Sequence, residues 1–350
     1  MGKLKKLTGY RLFLPLSCLI IVLLINLITT PTFFRITINN GVLYGYIIDV
    51  INRASELVVL AVGMTLVVSA SAGTDISVGA VMAVAAAVCT RVLAGGEVSV
   101  NEYANPYVLA VLAALAAAVV CGGFNGLLVA KLKIQPMVAT LILFTAGRGI
   151  SQLVTNGQIT YIRVDGYKLL GNNIPGIPIP TPIFVAVIVV ALTYILLKKT
   201  AMGMYIQSVG INERASRLVG LKSVKIIWMA YAFCGLCAGI AGLVASSRIY
   251  SADANNIGLN MELDAIAAVA LGGNSLGGGR FSLLGSVIGA YTIQALTTTL
   301  YAMSVPADQI PVYKAIVVIL IVAVQSEELK KFRKRLASRH SSKNAEGGVA

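Results

Sequence analysis

Histidine is nearly missing from this chain: His340 is the only one in 350 residues, and it stands near the C-terminus. Catalysis that needs an imidazole inside an apolar segment is thereby excluded. Charge is also scarce, at 12% of residues, and acid is scarcer than base, with 14 Asp and Glu against 28 Lys and Arg. The five cysteines (Cys18, Cys89, Cys121, Cys234 and Cys237) all fall inside apolar runs. Cys234 and Cys237 form a C-x-x-C, but the surrounding AFCGLCAGIAG holds no acid, histidine or second pair, so packing thiols are expected rather than a metal or redox site. The glycine-rich LGGNSLGGGR (271–280) has the look of a phosphate loop without its Lys-Ser/Thr, which excludes a nucleotide site. Its glycines serve close approach and sharp turning instead, with Asn274 and Ser275 offering hydrogen bonds at the break. With no nucleophile–base pair in the apolar runs, no catalytic residue, metal or cofactor is expected.

What is present is apolar surface. Hydrophobic residues make up 57% of the chain, and the mean hydropathy is +0.84. A soluble domain of this length has no means of hiding that much, whereas a bilayer does. A helix needs about 20 apolar residues to cross the hydrocarbon core. Runs near that length lie at 12–30, 54–72, 76–94, 107–130, 136–155, 181–197, 226–246, 261–276, 281–303 and 311–326. The expectation is therefore an all-α, polytopic membrane protein of about ten spans, with 261–276 either a full crossing or a re-entrant segment. No A-x-A-like cleavage site follows the first run, so it is expected to be a retained span.

The excess of base follows the same plan. With residues 1–11 inside, one set of loops holds Lys131, Lys133, Lys198, Lys199, Arg214, Arg217, Lys222, Lys225 and Arg280, as well as the basic tail 327–350. The other side receives Arg35, Arg53, Arg91, Arg163, Lys168, Arg248 and Lys314. That asymmetry is the positive-inside pattern of a cytoplasmic membrane protein with both termini in the cytoplasm, not a nucleic-acid surface. Residues 12–326 then form one transmembrane domain. The segment 156–181, rich in Gly, Pro and Asn, is expected as an outer hairpin or loop, either a docking surface or a connector.

Four places stand out. Asp75, between Thr74 and Ser77, separates two spans. A carboxylate in lipid costs about 2.5–3.5 kcal/mol, so it either accepts the N–H groups that open a helix at Ile76 or lines a solute route. Arg148, flanked by glycines within a span, needs a buried partner or a polar passage. Asn125, near the end of its span, is expected to bond a neighbouring helix. A gapless internal repeat sets 56–80 on 262–290, pairing Glu56 with Glu262, Gly73 with Gly279 and Gly79 with Gly285. The longest polar stretch is 198–225. Within it GINERASRLVG (210–220) predicts a short helix capped by Asn212, opened by Glu213 and ended by Gly220, with Ala215, Leu218 and Val219 as an apolar face for a partner's groove.

The segments AGTDISVGAVMA (72–83), NGLLVAKLKIQPMVATLILFTAGRGISQLVTNGQI (125–159), KTAMGMYIQSVGINERASRLVG (199–220) and ELDAIAAVALGGNSLGGGRFSLLGSVIGA (262–290) together resemble the permease subunits of bacterial ABC importers for monosaccharides, the ribose/galactose permease family. The resemblance implies a type II-like importer fold and a homodimer of permeases. It further implies ATP-binding subunits inside and an extracytoplasmic sugar-binding protein outside. The cargo it implies is galactofuranose, ribose or a related sugar. The family's coupling element falls on Gly210, Asn212, Glu213, Ala215 and Gly220, with Arg214 and Arg217 among them. Ser216 and Arg217 depart from many relatives. Helix-break residues Thr74, Asp75, Ser77, Asn274 and Ser275, with Arg148, become the candidate substrate route. The alternative from the residues alone is an ion-coupled carrier built on Asp75.

Overall fold

The computed structural model describes residues 12–39 and 41–325; the expected cytoplasmic N-terminal segment and the basic tail lie outside them. Chain order begins with α1 (Phe13–Thr29), β1 (Thr37–Asn39), β2 (Val42–Tyr44), α2 (Tyr46–Ser71), α3 (Val78–Ala94), β3 (Ser99–Val100), α4 (Tyr107–Ala130) and α5 (Pro136–Val154). It continues with β4 (Thr160–Ile162), α6 (Thr181–Lys199), α7 (Met202–Ile211), α8 (Glu213–Leu218), α9 (Ser223–Ile249), β5 (Ser251–Ala252), α10 (Met261–Leu271), α11 (Leu283–Ala302) and α12 (Ile310–Gln325). Each of the ten apolar runs carries a helix. Six of those helices, α2, α4, α5, α6, α9 and α11, are long and apolar enough to cross a membrane. The chain is not wholly helical: β1 and β2 form a hairpin, and β3, β4 and β5 form a small sheet. Segment 156–181 thus makes no hairpin of its own, because β4 pairs parallel with β3 and antiparallel with β5.

Two helices form the centre. Apolar side chains encircle α2, and 17 of its residues are buried; such a helix belongs inside a bundle. It runs antiparallel to α9: Ser71 meets Tyr231, Gly63 lies against Cys234 and Cys237, and Glu56 pairs with Arg248. Here the C-x-x-C thiols fill space against a glycine. Helix α4 lies on α9 more closely still. A Cβ at Gly122 would sit 2.4 Å from the Tyr231 carbonyl oxygen, and one at Gly235 would sit 2.4 Å from that of Ala118. Small residues permit this backbone contact, which is how helices adhere where lipid removes the hydrophobic drive.

These contacts set two ends. At one end lie the 198–225 loop, the break 72–77, the turn after α4 and the break 272–282, joined by the Gly279 N–H to Ser69 carbonyl bond (2.9 Å) and by Lys133 bonded to Glu213. At the other end lie the β3–β4–β5 sheet and the starts of α10 and α12. The gapless repeat does not survive. The first break spans six residues (72–77) and the second eleven (272–282), so 56–80 and 262–290 fall out of register at the helix end. A different pair does correspond: α2 and α9, of 26 and 27 residues, each end on a left-handed residue (Ala72, Tyr250). Three residues further on, Asp75 and Asp253 each accept the N–H two positions ahead at 2.9 Å. Since α2 and α9 are antiparallel, the two units are inverted relative to each other in space, although the chain runs through both in the same order.

The glycines of the α4–α9 contact are separable from others by test. Gly122→Ala is expected to lower stability by about 1–3 kcal/mol, because the methyl meets backbone. Gly149→Ala, where nothing lies within 4 Å, is expected to be neutral or stabilising by up to about 1 kcal/mol. Thermal unfolding in detergent reads both, and equal shifts would deny the close contact.

Candidate functional site: a polar loop seated on two helix breaks

The loop turns where Asn212 adopts an extended conformation between α7 and α8, and its Oδ1 accepts the Ala215 N–H at 2.9 Å. Glu213 opens the first turn, where a negative charge suits the helix dipole. Its carboxylate also takes the Lys133 ammonium and the Arg217 guanidinium. Helix α8 ends with Gly220 at φ +87°. The Leu221 N–H reaches the Ser216 carbonyl, and the Gly220 N–H reaches that of Arg217, each at 3.0 Å. This pair of bonds needs a left-handed residue, and glycine enters that region without strain. The six-residue helix is therefore closed at both ends by its own sequence. Ser216 faces inward, while Arg214, Ala215 and Arg217 are exposed. Beside them Ile211, Leu218 and Val219 stand 65%, 89% and 78% exposed, an apolar patch on a rigid turn.

Gly210 does not belong to that outer surface. A Cβ there would come 1.7 Å from the Ser69 carbonyl oxygen and 2.7 Å from the Gly279 nitrogen. The end of α7, the end of α2 and the break between α10 and α11 meet at this point as bare backbone. Gly278 closes the junction, its Cβ position lying 3.0 Å from the Gly210 carbonyl oxygen and from the Ala72 methyl. Sequence spacing marked Gly210 but carried no sign of Ser69 as its seat, since the two are far apart in the chain.

Both breaks are built from buried polar side chains. Asp75 Oδ1 accepts the Ser77 N–H at 2.9 Å, the Ser77 hydroxyl at 2.6 Å and the Asn125 amide at 3.4 Å. The Ile76 N–H goes elsewhere, to Thr140 Oγ1 at 3.2 Å. The helix expected to open at Ile76 thus begins two residues later, at Val78, because the chain turns through Ile76 and Ser77 first. Asn125 is fully buried and donates to Ser77 Oγ at 2.8 Å. In the second break Asn274 donates to the Val269 carbonyl and to Ser286 Oγ, and accepts the Ser282 N–H at 2.6 Å. Ser286 Oγ also takes the Thr65 hydroxyl at 2.6 Å, tying the break to α2. Ser275 is exposed, and Thr74 lies buried beside Asp75.

Arg148 stands apart. Its Nη1 donates to the carbonyls of Ala254 and Ile257 at 3.0 and 2.5 Å, across from α5 to the segment preceding α10. The candidate route residues therefore divide: Thr74, Asp75 and Ser77 at one break, Asn274 and Ser275 at the other, and Arg148 on loop carbonyls. The two breaks meet at Gly210, and Arg148 does not join them.

A bundle with several helices long and apolar enough to cross a membrane, and a structured polar loop resting on interrupted helices, fits a membrane permease component. Residues 46–325 match the family described as branched-chain amino acid transport system / permease component, and the chain belongs to that family. It is 44% identical over 324 residues to the galactofuranose transporter permease protein YtfT of Escherichia coli K12, covering 93% of this chain and 92% of that one. It is 37% identical to the fructose import permease protein FruF of Bifidobacterium longum, covering 99% and 96%. It is 35% identical to the ribose import permease protein RbsC of E. coli K12, covering 89% and 93%. No solved structure matches the chain.

Burial alone would raise the Glu213 pKa, but the hydrogen bonds and charges of Lys133 and Arg217 outweigh it and hold the group below its usual 4.5. A depressed carboxylate stabilises the folded loop fully above its unfolded pKa and loses that contribution as pH falls through the folded one. With all three side chains about a third to a half exposed, the effect is worth about 1 kcal/mol at most. Glu213→Gln is expected to flatten the fall in melting temperature between neutral pH and pH 4; an unchanged profile would remove the charge pair from the account.

Proposed function

We propose that this chain is the membrane-spanning subunit of an ATP-driven importer of a neutral monosaccharide. Helix α8 is the contact for the ATP-binding subunit. The observation that carries this reading is the pairing of an exposed apolar patch, Ile211, Leu218 and Val219, with a glycine seat directly behind it on the two helix breaks. Displacing α8 displaces Gly210, and no flexible side chain lies between Gly210 and the carbonyl of Ser69 to absorb the movement. The same push reaches 277–279 and through it the Asn274–Ser286–Thr65 chain. Asp75, Ser77 and Asn274 hold the breaks in shape, and Thr74, Ser275 and Arg148 are the members of the set left to border the route.

The sugar comes from the relatives, whose names specify galactofuranose, fructose and ribose. Those names favour an importer over an ion-coupled carrier, as does Asp75, which is 2% exposed with Oδ1 engaged by three donors. We further infer that α1, α3, α10 and α12 complete about ten crossings with the six longer helices. The end bearing α8 and its basic residues then faces the cytoplasm with both termini. A second copy completes a homodimer, and an extracytoplasmic sugar-binding protein delivers to the sheet end.

Leu218→Asp tests the contact, since a side chain so exposed is dispensable for folding. Expected is a loss of roughly 30-fold or more in retention of the co-expressed ATP-binding subunit, the scale of a central interface anchor, with sugar uptake lost in parallel. Full retention and full uptake would overturn the assignment of α8.

A further inference from the structure

At the sheet end, remote from α8, the starts of α10 and α12 and the end of α11 enclose a cleft of about 490 Å3. Small-molecule sites occupy roughly 300–1,000 Å3. Across its wall Lys314 Nζ on α12 reaches Asp264 Oδ2 on α10 at 2.7 Å, their side chains only 17% and 23% exposed. Asn260, Thr297 and Tyr301 also line it, and Leu263 supplies apolar wall. Taking two charges out of water offsets much of their attraction, so a partly buried ion pair is a weak strut. Charges among membrane helices instead mark pathways and binding groups.

We propose that this cleft binds a neutral polyol, a monosaccharide if the importer reading above holds, on which the proposal rests. The chemistry points to that class. A carboxylate only accepts and an ammonium only donates; held 2.7 Å apart, they match neighbouring hydroxyls that do both. The Tyr301 hydroxyl and the Asn260 amide extend the same mixed pattern, Thr297 Oγ1, which donates to the Ile293 carbonyl at 3.0 Å, adds an acceptor, and the Tyr301 ring offers a face to the C–H side of a sugar. The paired charges cancel, leaving no net attraction for a phosphorylated or carboxylated solute. The location fits as well: if α8 faces the cytoplasm, the cleft opens on the side where a sugar-binding protein delivers.

The test uses the complete complex in lipid nanodiscs or vesicles, probed with ribose, fructose and galactose. Saturation-transfer NMR reads sugar contact, labelled-sugar uptake reads transport, and co-purification of the ATP-binding subunit reads folding. Asp264→Asn and Tyr301→Phe are expected to lower contact and uptake by about tenfold or more, the loss of one charge-assisted or buried hydrogen bond, while the complex still assembles. The exchange Asp264→Lys with Lys314→Asp restores the ion pair but inverts donor and acceptor. A binding role leaves it defective; recovery to within about twofold of the parent would make the pair a strut and overturn the proposal. Uptake and contact at parental level in both single variants would overturn it as well, with the importer reading intact. A parent complex that carries none of the three sugars, nor any other in a wider panel, overturns the importer reading, and this site with it.

Discussion

Helices in an apolar solvent gain little by setting leucine against leucine, because lipid tails offer the same surroundings. What holds this bundle is contact between backbones, made possible wherever glycine or alanine leaves the space open. Gly122 and Gly235 bring α4 onto α9, Gly63 receives the thiols of Cys234 and Cys237, and Gly289 lies where a Cβ would be 2.0 Å from the Ala268 carbonyl oxygen. Backbones in contact do not yield by changing rotamer. Contacts of this kind are rigid along α2, α4 and α9, and the interruptions of the helices beside them are confined to defined breaks such as 72–77 and 272–282.

That confinement gives the junction at Gly210 its meaning. The helix breaks are not loose: buried amides, hydroxyls and one carboxylate bond one another, with Asn125 Oδ1 the member left without a partner. Each break is a defined turn with a defined neighbour, and both neighbours meet the end of α7. The local sequence makes α8 stiff, with a side-chain cap at one end and a left-handed glycine at the other. A short capped helix, bare backbone behind it and two organised breaks beyond form a continuous line of contacts across one end of the molecule.

The few ion pairs mark the remaining long-range connections. Glu56–Arg248 ties the two central helices at the sheet end, Asp264–Lys314 spans the cleft beside α10 and α12, and Lys133–Glu213 joins the turn after α4 to the 198–225 loop. In each the partners are distant in sequence, and none was foreseen from the chain. Charge counts assign residues to one end of the bundle or the other and say nothing about which of them touch.

The sequence by itself determined what can be read locally. Runs of apolar residues located the helices, because length and hydropathy are properties of a contiguous segment. The cap, first turn and terminating glycine of α8 were legible in GINERASRLVG, since each bond lies within a few residues. The thiols were recognisable as packing groups from the lack of ligands around them. Only the tertiary structure decided that Gly210 faces inward onto Ser69, that Asp75 bonds Ser77 and Asn125 instead of opening a helix at Ile76, and that Arg148 stands away from both breaks. It also replaced the gapless repeat with an inverted correspondence of α2 and α9. For Gly210 on Ser69 and for Asp75 on Asn125 the reason is the same: the partners lie far apart along the chain and their separation carries no periodic signal, so only the fold brings them together.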